Sequence, residues 1–197
     1  MYQSYLSDEL LLQMMEKVDL DLSQKCKVKP CERCQSKLHC DNYPRKLRGG
    51  PEHWDRRYSF TCAAHRHRTT PPSVRFLGRK VYLGVVVVLI SALRHGLKPD
   101  RVKCLKHHLN IDRRTLEHWR EWWLERFVRC PFWRDARARF MPILCEHSLP
   151  LALCEAFKVE RRDRLLDLLK FLTPITTGAG LFARNVMVVG HPAEDAH

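Results

Sequence analysis

The sequence predicts a mainly α-helical protein with a small β zinc ribbon, followed by a three-helix helix-turn-helix unit and further C-terminal helices. Three observations lead there. Cys31-Glu-Arg-Cys34 and Cys62-Ala-Ala-His65 are two short-spaced ligand pairs 27 residues apart, the pattern with which two tight turns close a tetrahedral Zn²⁺ site. Downstream, apolar residues recur at helical spacing between recognisable caps. The segment holding the ligand pairs is broken by Pro44, Gly49-Gly50-Pro51 and Pro71-Pro72 and has only scattered apolar residues, so without a metal staple its core would be marginal.

In chain order, residues 1–24 read as an N-terminal helix, with Ser7 as N-cap, Asp8 and Glu9 in the first turn, and Leu10, Leu11, Met14, Met15 and Val18 on one side over residues 4–18. Residues 25–78 form the ribbon, with strands at 37–48 and 56–61 and a turn at 49–51. Cys31, Cys34, Cys62 and His65 are its metal ligands. His67 is an alternative to His65, while Cys26, His39, Cys40 and His53 are bystanders.

Residues 79–129 form the helix-turn-helix. The apolar run around Val85–Val88 continues to a C′ glycine at Gly96 and reads as a buried helix over 79–95. Pro99 at N1 opens a second helix over 99–108, with Val102 and Leu105 inward. After the turn at 109–111, Asp112 caps a third helix over 113–129, with Leu116, Trp119, Trp123 and Phe127 on its buried side. Residues 130–175 continue as helices at 131–140, 149–157 and 160–172. The stripe Leu165, Leu168, Leu169, Leu172 reads as core, with a homodimer seam as the alternative, and Cys104, Cys130, Cys145 and Cys154 read as small buried hydrophobes. Residues 176–197 lack periodicity and read as a flexible tail.

Net charge is +13, and residues 25–80 carry 15 Lys and Arg against four acids, so +11 of it lies there. Such a field attracts polyanions, and nucleic-acid binding through it is salt-sensitive. A recognition helix presents its N-terminal residues to base edges, which makes Arg113, Arg114, Glu117 and His118 candidate readers of double-stranded DNA, with Arg120 on base or phosphate. Lys46, Arg56, Arg57, Arg66, Arg68 and Arg75 are the ribbon's candidate DNA contacts. The plainer alternative is a helical bundle with a solvated charged face. Nine cysteines, an odd number, without a leader pattern point to a reducing compartment, hence a cytoplasmic, nucleoid-associated protein, and the run 81–93 is too short to span a bilayer. Two other uses of the ribbon stay open: RNA binding by stacking on Tyr43, Trp54, Tyr58 and Phe60, and an HNH-like metal nuclease built on His39, Asp41, Asn42 and Gly49-Gly50, which lacks an adjacent Asp-His pair.

On Cys31-x-x-Cys34, the run from Cys62 through Arg66-His-Arg-Thr-Thr-Pro-Pro-Ser73, and Arg113-Arg-Thr-Leu-Glu-His-Trp-Arg-Glu-Trp-Trp123, residues 28–128 resemble the N-terminal DNA-binding region of bacterial insertion-sequence transposases. The resemblance implies Zn²⁺ on Cys31, Cys34, Cys62 and His65, although family members more often have cysteine where His65 stands. It also implies a third helix on terminal-repeat DNA and a separate transposase subunit as a further partner. Those transposases carry a nuclease domain with three carboxylates holding two Mg²⁺. Here 68 residues follow Arg129, and their acids lie outside any strand pattern. The expectation is therefore an accessory or repressor protein of a mobile element, or one frame of a split transposase, with no catalytic domain of its own.

Overall fold

A computed structural model describes residues 2–77, 81–93 and 98–177. Helices dominate: α1 (Tyr2–Leu6) and α2 (Glu9–Lys27) precede five short strands, β1 (Leu38–Cys40), β2 (Tyr43–Pro44), β3 (Arg56–Arg57), β4 (Phe60–Cys62) and β5 (Arg68–Thr69). Then come α3 (Gly84–Ser91), α4 (Pro99–Leu109), α5 (Arg113–Glu121), α6 (Pro131–Ala136), α7 (Leu151–Phe157) and α8 (Arg162–Phe171). Among the described residues no helix is long and apolar enough to cross a membrane.

The N-terminal helix is longer than expected and starts one residue later. Asp8, not Ser7, caps α2, its Oδ1 accepting the Leu11 N–H at 3.1 Å. Its buried positions are Leu11, Met15, Asp19 and Ser23. The apolar pattern stops at Val18, but the buried stripe continues at the same four-residue interval with polar residues. α2 packs on α8 and β1. The Tyr5 hydroxyl donates to the Val159 carbonyl at 2.6 Å, and Arg162 meets Asp8 at 2.6 Å.

The two expected ribbon strands are each broken in two, and β5 is an addition to them. β1 and β5 flank β4 in an antiparallel three-stranded sheet with Leu38 opposite Cys62 and Phe60 opposite Thr69; β2 pairs with β3. The break lies at Asp41–Asn42, where the Asn42 Oδ1 accepts the Ser59 N–H at 3.1 Å and the Asp41 N–H donates to the Ser59 carbonyl. Loop 46–54 then runs over the helical body, with Gly49 at φ +80° and 3.2 Å between the position of an added Cβ and Val86.

Two hydrophobic clusters result. A small one holds only Cys31, Leu38, Phe60 and Cys62, with Cys26 against it. The large one gathers Leu47, Trp54, Val74, Phe76 and Leu77 together with α3, α5 and α8. Half of the broken segment is thus core for the helices, and its apolar residues look scattered in sequence because they serve two cores.

α3 is shorter than the expected 79–95. Tyr82 and Leu83 are extended and bridge Arg48 and Phe76, and the helix begins at Gly84, where a Cβ would stand 3.1 Å from the Val74 carbonyl. The expected stop at Gly96 and the tail beyond residue 177 lie outside the described residues. α4 starts on Pro99 and ends on Asn110 in the left-handed region (φ 52°). Asp112 caps α5 by accepting the Thr115 N–H at 2.7 Å. The same helix continues with π winding over Trp122–Phe127, where Trp123 meets Phe127 edge-on at 4.8 Å and Phe127 meets Trp133 at a tilt at 5.1 Å. Leu165, Leu168, Leu169 and Leu172 are buried in the core, so this stripe is not free to be a dimer seam. Cys130 and Cys154 are buried as expected, but Cys104 and Cys145 are exposed: neither side chain faces the core.

Candidate metal centre

Each ligand pair sits on a turn of the same construction. In the first, the Gln35 N–H donates to the Cys31 carbonyl at 2.8 Å and the Cys31 N–H to the Ser36 carbonyl at 2.9 Å. In the second, the Arg66 N–H donates to the Cys62 carbonyl at 3.1 Å and the Cys62 N–H to the His67 carbonyl at 2.9 Å. Gln35 and Arg66, the residues directly after Cys34 and His65, both take positive φ, 60° and 57°. Glycine is the ordinary residue for that conformation, and its absence hid the repeat from sequence reading.

The β1–β4 pairing brings the two turns together. Cys31, Cys34, Cys62 and His65 place their ligand atoms within 4.8 Å of one another and could hold a metal ion. Cys31 Sγ lies 3.6 Å from His65 Nε2, and Cys34 Sγ 3.4 Å from Cys62 Sγ. A tetrahedron with ordinary zinc–sulfur and zinc–nitrogen bonds has edges of about 3.6 Å (S to N) and about 3.8 Å (S to S), so both edges need little adjustment. His65, not His67, is the fourth member: His67 serves the turn through its carbonyl. The His67 N–H stands 3.3 Å from His65 Nδ1. Ligation through Nε2 leaves the ring proton on Nδ1, so loading requires the ring to turn off that contact.

Cys31 and Cys62 are buried, Cys34 and His65 exposed. Hydrogen bonds from the Ser36 hydroxyl and N–H, then the Cys62 thiol, pull the Cys34 thiol down to about 6. At Cys62 the His65 and Ala64 N–H groups favour the thiolate, but burial and the Cys34 and Cys31 sulfurs outweigh them and raise it above its ordinary value. N–H groups aimed at both sulfurs are the outer support that a thiolate–metal centre uses.

The expected nucleic-acid contacts divide. Arg113, Arg114, Glu117, His118 and Arg120 are all exposed on α5, with Arg113 and Glu117 tied at 2.9 Å. Arg120 rims a separate cleft of about 240 Å³ with Ile90, Leu93, Val102 and Leu116. Lys46, Arg56, Arg66 and Arg68 are exposed, the last held by Asp41 at 2.7 Å and lying over Tyr43. Arg57 and Arg75 are corrections: they are 2% and 3% exposed and cannot reach DNA as the chain is folded. Arg75 pairs with Asp19 at 2.7 Å and lies over Trp54; Arg57 donates to the Pro71 carbonyl at 2.7 Å and lies over Phe76. Sequence reading placed them outside because a charged residue in a basic run is ordinarily solvated, and the partner acid lies 56 residues away.

Some of the residues that the other two uses would draw on are buried or engaged. Trp54 and Phe60 are buried, which takes two of the four aromatics out of reach of a base. Asp41 is engaged by Arg68 and the Thr61 hydroxyl, and Asn42 by Ser59.

Tyr82 forms one link between loop 46–54 and α5. Arg48 donates to the Tyr82 hydroxyl at 3.1 Å, that hydroxyl donates to the Asn110 carbonyl at 2.9 Å, and the Tyr82 ring meets Trp119 edge-on at 5.2 Å. No protein-family model, curated protein or solved structure matches the chain.

Proposed function

We propose that this is a zinc-dependent binder of double-stranded DNA, in which a zinc ribbon supplies phosphate contacts and α4–α5, as a helix-turn-helix, supplies the reading helix. The observation that carries the reading is the tetrad of three sulfurs and one imidazole nitrogen, closed at the mouth of a strongly basic segment. Three thiolates and an imidazole in tetrahedral reach suit Zn²⁺ over harder ions. The exposed N-terminal face of α5 and the Arg48–Tyr82–Asn110 connection support the second half, since they hold Arg114 and His118 at a set distance from the basic module. Placement in a mobile element, as an accessory, repressor or split-transposase part beside a separate transposase subunit, rests on the sequence resemblance alone.

The test is a binding assay on the metal-loaded chain, with duplex selected from a random pool. One Zn²⁺ per chain and affinity that falls on chelation and with rising salt are expected. Arg114→Ala should cost about 1–3 kcal/mol at one base pair, and Lys46→Ala should weaken all sequences alike. Binding indifferent to chelation and to salt overturns the proposal.

A further inference from the structure

Burial of Arg57 and Arg75 removes two of the expected phosphate contacts from the metal module, while a feature that sequence reading passed over remains open to solvent. Between the C-terminal end of α2 and the first ligand turn lies a cleft of about 240 Å³, lined by Lys27, Val28, Lys29, Pro30, Gln35, Lys37 and Leu38. Its three lysines are exposed and its lining includes no acid. Lys27 in the last turn of α2 has an ordinary explanation, since a cation there opposes the helix dipole. Lys29 and Lys37 lie outside any helix, and that account does not reach them. Val28, between two of the lysines, is 82% exposed, an apolar side chain left against the opening.

The cleft is coupled to the metal centre by covalent neighbourhood and by packing. Gln35 directly follows Cys34 and holds its left-handed conformation. The Lys37 carbonyl accepts the Ala63 N–H of the second turn at 3.1 Å, and Leu38 packs with Cys31 and Cys62. One wall of the cleft is thus the metal turn itself.

We propose that this cleft is a phosphate site: Lys27, Lys29 and Lys37 together seat a backbone phosphodiester of bound DNA, and the metal centre holds the wall that presents Lys37. The proposal rests on the DNA-binding reading above and deepens it, moving the main anchor of the module from its buried arginines to this cleft. A compact, strongly hydrated ammonium on a flexible stem suits a phosphate, where position matters and planar bidentate geometry does not.

The experiment uses the full, zinc-loaded chain and a short fluorescein-labelled duplex of arbitrary sequence, with anisotropy titrations across a KCl series. Each phosphate neutralised contributes about 0.9 to the slope of log K against log salt. The Lys27→Gln/Lys29→Gln/Lys37→Gln variant, which empties one phosphate seat, should therefore lose about 0.9 from that slope, so that over roughly 50 to 200 mM salt wild type loses about 3-fold more affinity than the variant. Zinc content should be unchanged, arginine at all three positions should restore the slope, and Lys158→Gln/Lys170→Gln, on α7–α8, should leave it alone. A triple variant with the wild-type slope, or a control pair that lowers it as much, overturns the cleft while leaving DNA binding standing. Absence of salt-dependent duplex binding by the wild type overturns the broader reading, and the cleft with it. Inorganic phosphate forms the last arm: competition at millimolar concentration would make the site one for free phosphate and overturn the proposal.

Discussion

Asp19 is the residue whose loss should cost this fold most per atom changed. It is 1% exposed, and its carboxylate accepts from the Val74 N–H at 2.7 Å, from Arg75 Nε at 2.7 Å and from the Ser73 hydroxyl. The Ser73 N–H in turn donates to Thr176 Oγ1 at 3.0 Å, so one carboxylate ties α2, the exit of the metal module and the end of the helical body. Asp19→Asn preserves volume but sets an N–H₂ against the Arg75 guanidinium. Removing one partner of a buried pair costs about 3–5 kcal/mol, because the other charge stays buried. The upper half of that range is expected here. Arg57 is also buried, its guanidinium pulled down to about 10 by desolvation, with the Asp19 charge the largest opposing effect, so both arginines would lose that carboxylate. Against a total stability on the order of 5–15 kcal/mol, that is a large fraction. Urea unfolding followed by tryptophan fluorescence reads it: with a slope of about 2.5 kcal/mol per molar, the midpoint falls by about 1.6–2 M. Asp19→Leu/Arg75→Met, which removes both charges of the pair and keeps aliphatic bulk, should recover the part of the loss owed to Arg75, while Arg57 and the Val74 N–H stay without the carboxylate. A single variant costing under about 1 kcal/mol, or a double variant as unstable as the sum of its parts, refutes the reasoning.

Three further outcomes are expected. Cys34→Ser, or chelation, should release amide protection in β1, β4 and β5 and both ligand turns, because metal binding there is folding free energy; Leu47, Trp54 and Phe76, packed in the large core, should stay protected, and hydrogen exchange separates the two groups. Gln35→Gly should leave the metal-loaded protein unchanged or raise its stability by up to about 1 kcal/mol, since glycine takes positive φ without the Cβ penalty; loss of metal affinity in this variant would mean that the turn needs the side chain. Acid should destabilise the fold through Asp8 and Glu146. A hydrogen bond from Arg162 holds Asp8 below its usual value against the opposing effect of burial, and the Trp133 indole N–H, then Arg137, lower Glu146. Depressed carboxylates stabilise in full above their unfolded values, near about 4, and that contribution is lost as pH falls through the folded values. Urea midpoints should therefore drop below about pH 4, and Asp8→Asn/Glu146→Gln should flatten that drop.

Much of the architecture was readable from local chemistry. Asp112 as N-cap and Pro99 at N1 act through the next three or four residues, and both start helices where expected. The leucine stripe 165–172 and the tryptophan-bearing side of α5 are periodic and buried. Where the reading missed, a long-range contact decided. α2 outruns its apolar pattern because Asp19 is neutralised by a residue on the far side of the metal module. Strand limits failed because Asp41 and Asn42 leave the ladder to bond Ser59, Thr61 and Arg68. Cys104 and Cys145 carry no local mark that separates an exposed thiol from a buried one.

By itself the sequence determined the three cysteines of the candidate ligand set, the starts of α4 and α5 and the excess of positive charge, since each depends on residue type and short spacing. Only the tertiary structure decided which charges face water. Arg57 and Arg75 lie in the same basic segment as Arg56 and Arg68, and nothing within a few residues tells them apart. Their burial is set by aromatic faces, by Asp19 and by the helices that enclose them. The energy of a charge depends on everything within several ångströms, and in a folded chain most of that neighbourhood comes from elsewhere in the sequence.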